Sequence, residues 1–190
     1  DYGQGHASAF AQVLSEKLGV PFERINLLQG DSDELIHGGG TGGSRSAIMS
    51  GAAIVEASEK VVEKGKRLAG VALEAGVEDI EFSDGTFSVA GTDVSIDIMA
   101  LADRVRQGLS LPEAMDDDDG LDVTHLTDAL PSTFPNGSHI AEIEVDPETG
   151  VLEVVSYARA NDLGPVLTPS LVSGQLHLAP IHSRRCPTAY

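Results

Sequence analysis

A chain of 190 residues that is 41% apolar can enclose a core, but at 4% aromatic content that core has to be built from Val, Leu, Ile and Ala. Thirty acidic residues against 12 basic ones give a formal net charge of -18, which excludes DNA or RNA as the expected partner while leaving room for a small anion held by main-chain N–H groups. The single cysteine, Cys186, rules out an internal disulfide framework or a multi-cysteine metal cluster, and without a signal-like segment or an apolar run near the ~18 residues of a membrane span, a cytoplasmic protein is expected.

In chain order, residues 5–18 place Phe10, Val13, Leu14 and Leu18 on one helical face, with Gly19 as the stop. Gly3-Gln4-Gly5-His6 stands at the front of that helix. Asp1-Tyr2 rather than Met precedes it, so an excised piece of a longer protein is expected. "PFERINLLQGD" reads as a short strand leading to a Gly-Asp turn. The segment "GGGTGG" at 38–43 is followed by Ser44-Arg45-Ser46 and a helix that starts near Ser44 or Ser46 and runs into the seventies through Ile54, Ala57, Val61, Leu68 and Ala72. Ala47, Ser50, Gly51, Ala52 and Ala53 keep its first turns thin, and Gly65 and Gly70 weigh against an unbroken helix.

A hairpin is predicted around Ser83-Asp84-Gly85, then a helix carrying Ile96, Ile98, Leu101, Ala102 and Val105 that ends near Gly108. "EAMDDDDGLD" reads as a mobile acidic connection, because adjacent carboxylates repel and prefer water, and it lacks the ligand pattern of a calcium loop. From 138 onward two strands flank the turn Asp146-Pro147-Glu148-Thr149-Gly150, and a short helix is expected from Pro169 to His177. The composition then changes abruptly in "HSRRCPTAY".

The chemistry concentrates at the glycines. They permit positive φ and let a ligand approach the main chain, the following helix N-termini expose unpaired N–H donors, and Ser44 and Ser46 add hydroxyls. An ordinary turn and helix cap accounts for "GGGTGG" taken alone. The spacing is not that of a phosphate loop, and Arg45 has two available roles, phosphate clamp or partner of a surface carboxylate. Gln4 could meet a heteroaromatic edge or cap a helix, and His6 could touch a ligand or pack. His37, His125, His139, His177 and His182 form no compact metal motif, and neither serine lies in a nucleophile elbow. Glu142 and Glu144 read as the wet face of a strand, Asp146 and Glu148 as its turn.

Taken together, "YGQGHASAFAQVLSEKLGVPFERINLLQGDSD", "GGGTGGSRSAIMSGAA" and "FPNGSHIAEIEVDPETGVLEVVSYARANDLGPVLTPSLVSGQLH" resemble, in order and interval, the molybdopterin-binding large subunit of the xanthine dehydrogenase, aldehyde oxidase and carbon monoxide dehydrogenase family. The resemblance covers most of residues 2–177 and implies an α+β fold of helices on short mixed sheets, with 1–177 a partial molybdopterin-binding domain and 178–190 an atypical tail. It implies a molybdopterin dinucleotide with molybdenum, in the cytosine form. This would be approached by Gly3, Gln4, Gly5 and His6, contacted by Thr41, Gly42, Gly43, Ser44, Arg45 and Ser46, and met by the Gln175 amide.

It further implies a parent oxidoreductase that oxidises an aldehyde, purine, other heterocycle or carbon monoxide with water-derived oxygen. Iron-sulfur clusters and FAD are expected on partner subunits or domains, alongside the rest of the large subunit. The family's glutamate base is expected downstream of the "GQLH" region and is not found in residues 178–190. Those residues also do not continue the family's glycine-rich "HGG" pattern, and Thr168-Pro169-Ser170 replaces its Asn-Pro run. No catalytic residue and no metal ligand is assigned within the chain, which is expected to be inactive alone. The alternatives are a noncatalytic remnant or accessory α+β domain without cofactor affinity, and a general nucleotide-binding module.

Overall fold

The computed structural model describes residues 3–35, 38–109, 111, 120–128 and 130–185, with side chains as far as His177. His37, the acidic segment 113–119 and Cys186 lie outside the described residues. Helix α1 spans His6–Leu18 and α2 spans Ser46–Leu73; strands β1 (Ile80–Ser83), β2 (Thr86–Val89) and β3 (Ser95–Asp97) follow, then α3 (Ile98–Arg106). A long hairpin, β4 (Asn136–Val145) and β5 (Leu152–Asp162), leads into α4 (Pro169–Arg185).

The class is α+β as expected. The sheets, expected as mixed, pair antiparallel only among the described residues, in the orders β1-β2-β3 and β4-β5. The physical reason is connection length: each paired strand is joined to the next by a tight turn or short loop, and a parallel pair needs a long crossover.

The core lies where α1, α2, α3 and the three-stranded sheet meet, around Leu18, Leu68, Ala69, Ala72, Ile80, Phe87, Ile98 and Leu101. Phe87 is fully buried, and Gly65 explains how. A Cβ at 65 would stand 2.3 Å from the ring's Cζ, so the glycine is the slot into which the ring fits, and α2 runs through it unbroken. Asp97 starts α3 by accepting hydrogen bonds from the Met99 N–H (2.8 Å) and the Ala100 N–H (3.2 Å).

Two expectations are corrected. Residues 21–31 form no strand: Phe22–Arg24 is a 3-10 turn, and the rest is extended without a ladder. Ile25, Leu27 and Gln29 do alternate inward, but alternation reports a half-buried face, whereas a strand also needs a neighbour to pair with. Ile96 belongs to β3, opposite Phe87, rather than to the helix that follows.

In the long hairpin, Glu142 and Glu144 do share the polar face, opposite Ser156 and Glu153, and the Ser156 hydroxyl donates to Glu142. A bulge between Glu142 and Ile143 resets the register, so that His139, Ile143, Val145, Leu152 and Tyr157 line the other face.

Candidate functional site

Gly3 and Gly5 lie in the left-handed region, with φ of +93° and +74°, and Gly5 forms the N-cap of α1 without a side-chain cap. The helix begins on the Gly5 carbonyl, which accepts from the Ala9 N–H at 3.0 Å. Gln4 is exposed. His6 turns inward: it is 8% exposed, stacks on Phe10 with ring centroids 4.9 Å apart, and places Nδ1 3.3 Å from the Gln29 amide oxygen. The His6 ring is thus an anchor under the segment.

Gly5 is also where α4 lands. A Cβ at this position would come within 2.5 Å of Leu171 Cδ1, so the helix carrying Gln175 packs directly over the glycine. One turn beyond Leu171, Gln175 is exposed. The Thr168 hydroxyl donates to the Gln12 side chain at 2.5 Å, and the Arg159 guanidinium donates to the Leu176 carbonyl, tying the same helix to α1 and β5. A shallow apolar hollow of about 210 Å³ remains between Ala9, Leu163, Val166 and Val172. The first glycine motif and the helix that carries Gln175 therefore meet, through residues 166 positions apart along the chain.

The second motif stands at the start of α2. Gly43 and Ser44 are consecutive left-handed residues at φ +63° and +53°, and Arg45 is the N-cap. The segment braces itself: Arg45 Nε donates to the Gly42 carbonyl at 3.2 Å, and the Ser46 hydroxyl donates to Thr41 Oγ1 at 3.2 Å. Among the described residues Arg45 makes no ion pair. A Cβ at Gly38, Gly39, Gly40 or Gly42 would meet no atom within 4 Å, which leaves the main chain approachable along the whole run. The N–H groups of Ser46, Ala47 and Ile48 have no intrahelical partner by helix geometry.

The charge distribution matches this geometry. No Asp or Glu occurs in residues 2–15, 35–55 or 163–190, the stretches that hold the three motifs; all 30 acidic residues lie elsewhere. Backbone donors, the hydroxyls of Thr41, Ser44 and Ser46, the amides of Gln4 and Gln175 and an arginine, all in sequence stretches without a carboxylate, suit an anion with a polar heterocyclic edge.

One cluster was not foreseen from the sequence. On α2, Glu56 Oε2 accepts from the Thr127 hydroxyl and from His125 Nε2 at 2.5 Å, while Lys60 donates to His125 Nδ1 at 2.9 Å. The Thr127 hydrogen bond, and after it that of His125, holds the Glu56 carboxyl below the ordinary glutamate value of 4.5. Its only sequence signal is the i,i+4 spacing of Glu56 and Lys60. Among the described residues no group of three or more His, Cys, Asp or Glu side chains could hold a metal ion, and no helix is long and apolar enough to cross a membrane.

Comparison with known proteins gives a consistent picture. The family model described as "Molybdopterin cofactor-binding domain" matches residues 1–181. The chain is 33% identical over 175 residues to the carbon monoxide dehydrogenase large chain of Hydrogenophaga pseudoflava, covering 92% of this chain and 21% of that one. It is 35% identical over 177 residues to the nicotine 6-hydroxylase large subunit of Paenarthrobacter nicotinovorans, with coverages of 92% and 21%. The solved structure of reconstituted CO dehydrogenase from Oligotropha carboxidovorans superposes with a TM-score of 0.77 at 29% identity, covering 93% of this chain and 22% of that chain. The chain thus spans about a fifth of the length of these relatives.

Proposed function

Since the chain belongs to the molybdopterin cofactor-binding domain family, we propose that it forms part of the cofactor cradle of a larger molybdenum-dependent oxidoreductase. The ligand is a molybdopterin dinucleotide in the cytosine form. The observation that carries this reading is the seating of Leu171 on Gly5, which brings the Gly3-Gln4-Gly5-His6 segment and the helix of Gln175 onto one surface.

The donor set fits such a group. Main-chain N–H groups at the start of α1 and α2 would hold the pyrophosphate, and glycines at 3, 42 and 43 would keep Cβ atoms out of its way, while Gly5 makes room for Leu171. Thr41, Ser44 and Ser46 offer hydroxyls, Arg45 a bidentate clamp, and Gln4 and Gln175 paired donor and acceptor atoms for a pterin edge. When bound, the cofactor supplies the redox chemistry, and these residues supply binding, orientation and exclusion of water.

In this reading the parent protein oxidises an aldehyde, purine, other heterocycle or carbon monoxide with oxygen drawn from water. Iron-sulfur and FAD-binding partners take up the electrons, and the catalytic base stands outside residues 1–190. Support comes from relatives named as a carbon monoxide dehydrogenase large chain and a nicotine 6-hydroxylase large subunit.

The test is molybdenum and released pterin nucleotide per large subunit in the full complex, for wild type and for a Gln4→Ala/Ser46→Ala/Gln175→Ala variant. Loss of most of the cofactor is the expected result. Wild-type content in the triple variant would remove these residues from the cradle.

A further inference from the structure

Residues 121–128 and 130–134 run back along α2 toward its N-terminus. Asp122 offers its carbonyl to the Lys64 ammonium at 3.2 Å, His125 and Thr127 latch onto Lys60 and Glu56, and the Leu130 N–H donates to Met49 Sδ at 3.4 Å. Finally the Thr133 hydroxyl donates to the Ser44 carbonyl at 3.2 Å. The partners on α2 descend in number as those on the strap rise, which defines an antiparallel strap over a helix. The lengths agree: Ser46 to Lys64 rises about 27 Å along a helix, and the eleven steps from Asp122 to Thr133 can reach about 36–40 Å when fully extended.

The last of these contacts falls on a strained residue. Ser44 is a non-glycine residue at φ +53°, directly after Gly43 at +63°, and such a conformation persists only where surrounding structure over-determines it. Its own loop provides two bonds, Arg45 to Gly42 and Ser46 to Thr41, and neither one touches the Ser44 peptide. The Thr133 hydroxyl does.

We infer that the strap formed by 121–128 and 130–134, latched to α2 at Glu56 and delivered to the Ser44 carbonyl by Thr133, is a positioning device for the Thr41–Ser46 loop. Thr133 touches no proposed ligand atom. It fixes the peptide whose orientation decides whether the loop's donors and the first free N–H groups of α2 converge. This rests on the cofactor reading only for its consequence, since the geometry of the loop can be judged without a ligand.

The experiment uses the full complex in two states. Without cofactor, hydrogen exchange of the peptide spanning 41–50 is compared among wild type, Thr133→Val, Thr133→Ser and Glu56→Ala. Exchange is expected to rise in Thr133→Val and Glu56→Ala, to stay at wild type in Thr133→Ser, and to leave peptides of β1 and β2 unchanged. With cofactor, Thr133→Val is expected to lose pterin nucleotide about two- to twelve-fold faster, the range that deletion of one neutral hydrogen bond corresponds to.

Wild-type exchange at 41–50 in either Thr133→Val or Glu56→Ala overturns the inference, as does a rise that spreads through β1 and β2, which would mark a general loss of fold. Ser46→Ala run beside them separates the two readings. If it retains cofactor as well as wild type does while Thr133→Val loosens the loop, the cofactor assignment falls and the strap stands. If Ser46→Ala loses cofactor and Thr133→Val leaves the loop unchanged, the reverse holds.

Discussion

Replacing Gly5 with alanine introduces two separable penalties. The first is local: at φ +74° an L-residue pays for the left-handed conformation, about 1–2 kcal/mol. The second is a contact, because the new methyl would stand 2.5 Å from Leu171 Cδ1 and 2.9 Å from Cδ2, inside any real carbon–carbon approach. Both atoms are the far end of a flexible side chain, so Leu171 can turn aside at roughly 0.5–1.5 kcal/mol for the off-rotamer displacement. Gly5→Ala is therefore expected to destabilise the start of α1 and its contact with α4 together by about 1.5–3.5 kcal/mol, of which only the contact part, about 0.5–1.5 kcal/mol, acts on the docking of α4.

Leu171→Ala alone removes a half-buried side chain and is expected to fall below the ~2–5 kcal/mol of a fully buried leucine. In the double variant the contact penalty vanishes while the backbone penalty stays, so the two changes should couple favourably by about 0.5–1.5 kcal/mol. Native-state hydrogen exchange of the first turns of α1 and α4, measured on the four proteins of the cycle, gives the opening free energies directly. Additivity within about 0.3 kcal/mol would refute the seating of Leu171 on Gly5, and with it the convergence of the first and third motifs.

Gly65→Ala gains about 1 kcal/mol of helix propensity but drives a methyl to 2.3 Å from the fully buried Phe87 ring, where overpacking typically costs about 1–3 kcal/mol; a lowered thermal midpoint is expected, and a raised one would contradict the slot. Asp97→Ala removes the acceptor of two first-turn N–H groups and should destabilise α3 by about 0.5–2 kcal/mol in urea unfolding, with Asp97→Asn close to wild type. Glu56 is held below 4.5 by Thr127 and then His125, and Asp146 below 3.8 by the Glu148 N–H and then Thr149. A depressed folded value means that each contributes stability above its ordinary pKa and loses it as pH falls from there through the folded value. Carboxyl titration by NMR should find both midpoints below 4.5 and 3.8, and a Glu56 midpoint unmoved by Thr127→Val would contradict the assigned cause.

The parts of the fold legible in the sequence were those whose cause is local. The start of α2 follows from glycines yielding to a serine-flanked periodic run, and both hairpins follow from Asp-Gly and Asp-Pro-Glu-Thr-Gly turns between alternating segments. Propensity makes Gly65 a weakness because it sees only the helix, whereas the reason for the glycine sits on β2. Residues 21–31 show the opposite failure, a correct alternation with no strand to pair against. Within the site, the glycine motifs were visible as composition, but the Leu171–Gly5 seating and the Glu56–His125–Thr127 latch join residues 69 or more positions apart. No local pattern encodes such pairs; they exist only once the packing of α4 and of the strap is known.

A net charge of -18 would seem to oppose any anionic ligand, and the resolution lies in range. At physiological ionic strength a charge is largely screened beyond about 8 Å, so the total matters less than which residues stand within that radius. Three stretches without a carboxylate, 2–15, 35–55 and 163–190, hold all the proposed cofactor contacts, and the fold lays the first directly against the third. Among the described residues, acidic side chains stand exposed on the long hairpin, as Glu142, Glu144 and Glu153, and on α2, as Glu59 and Glu63. Such a surface charge opposes self-association and polyanion binding. The same sequence can therefore repel nucleic acid at long range and accept a dinucleotide phosphate at contact, because attraction at contact is carried by oriented N–H groups rather than by net charge.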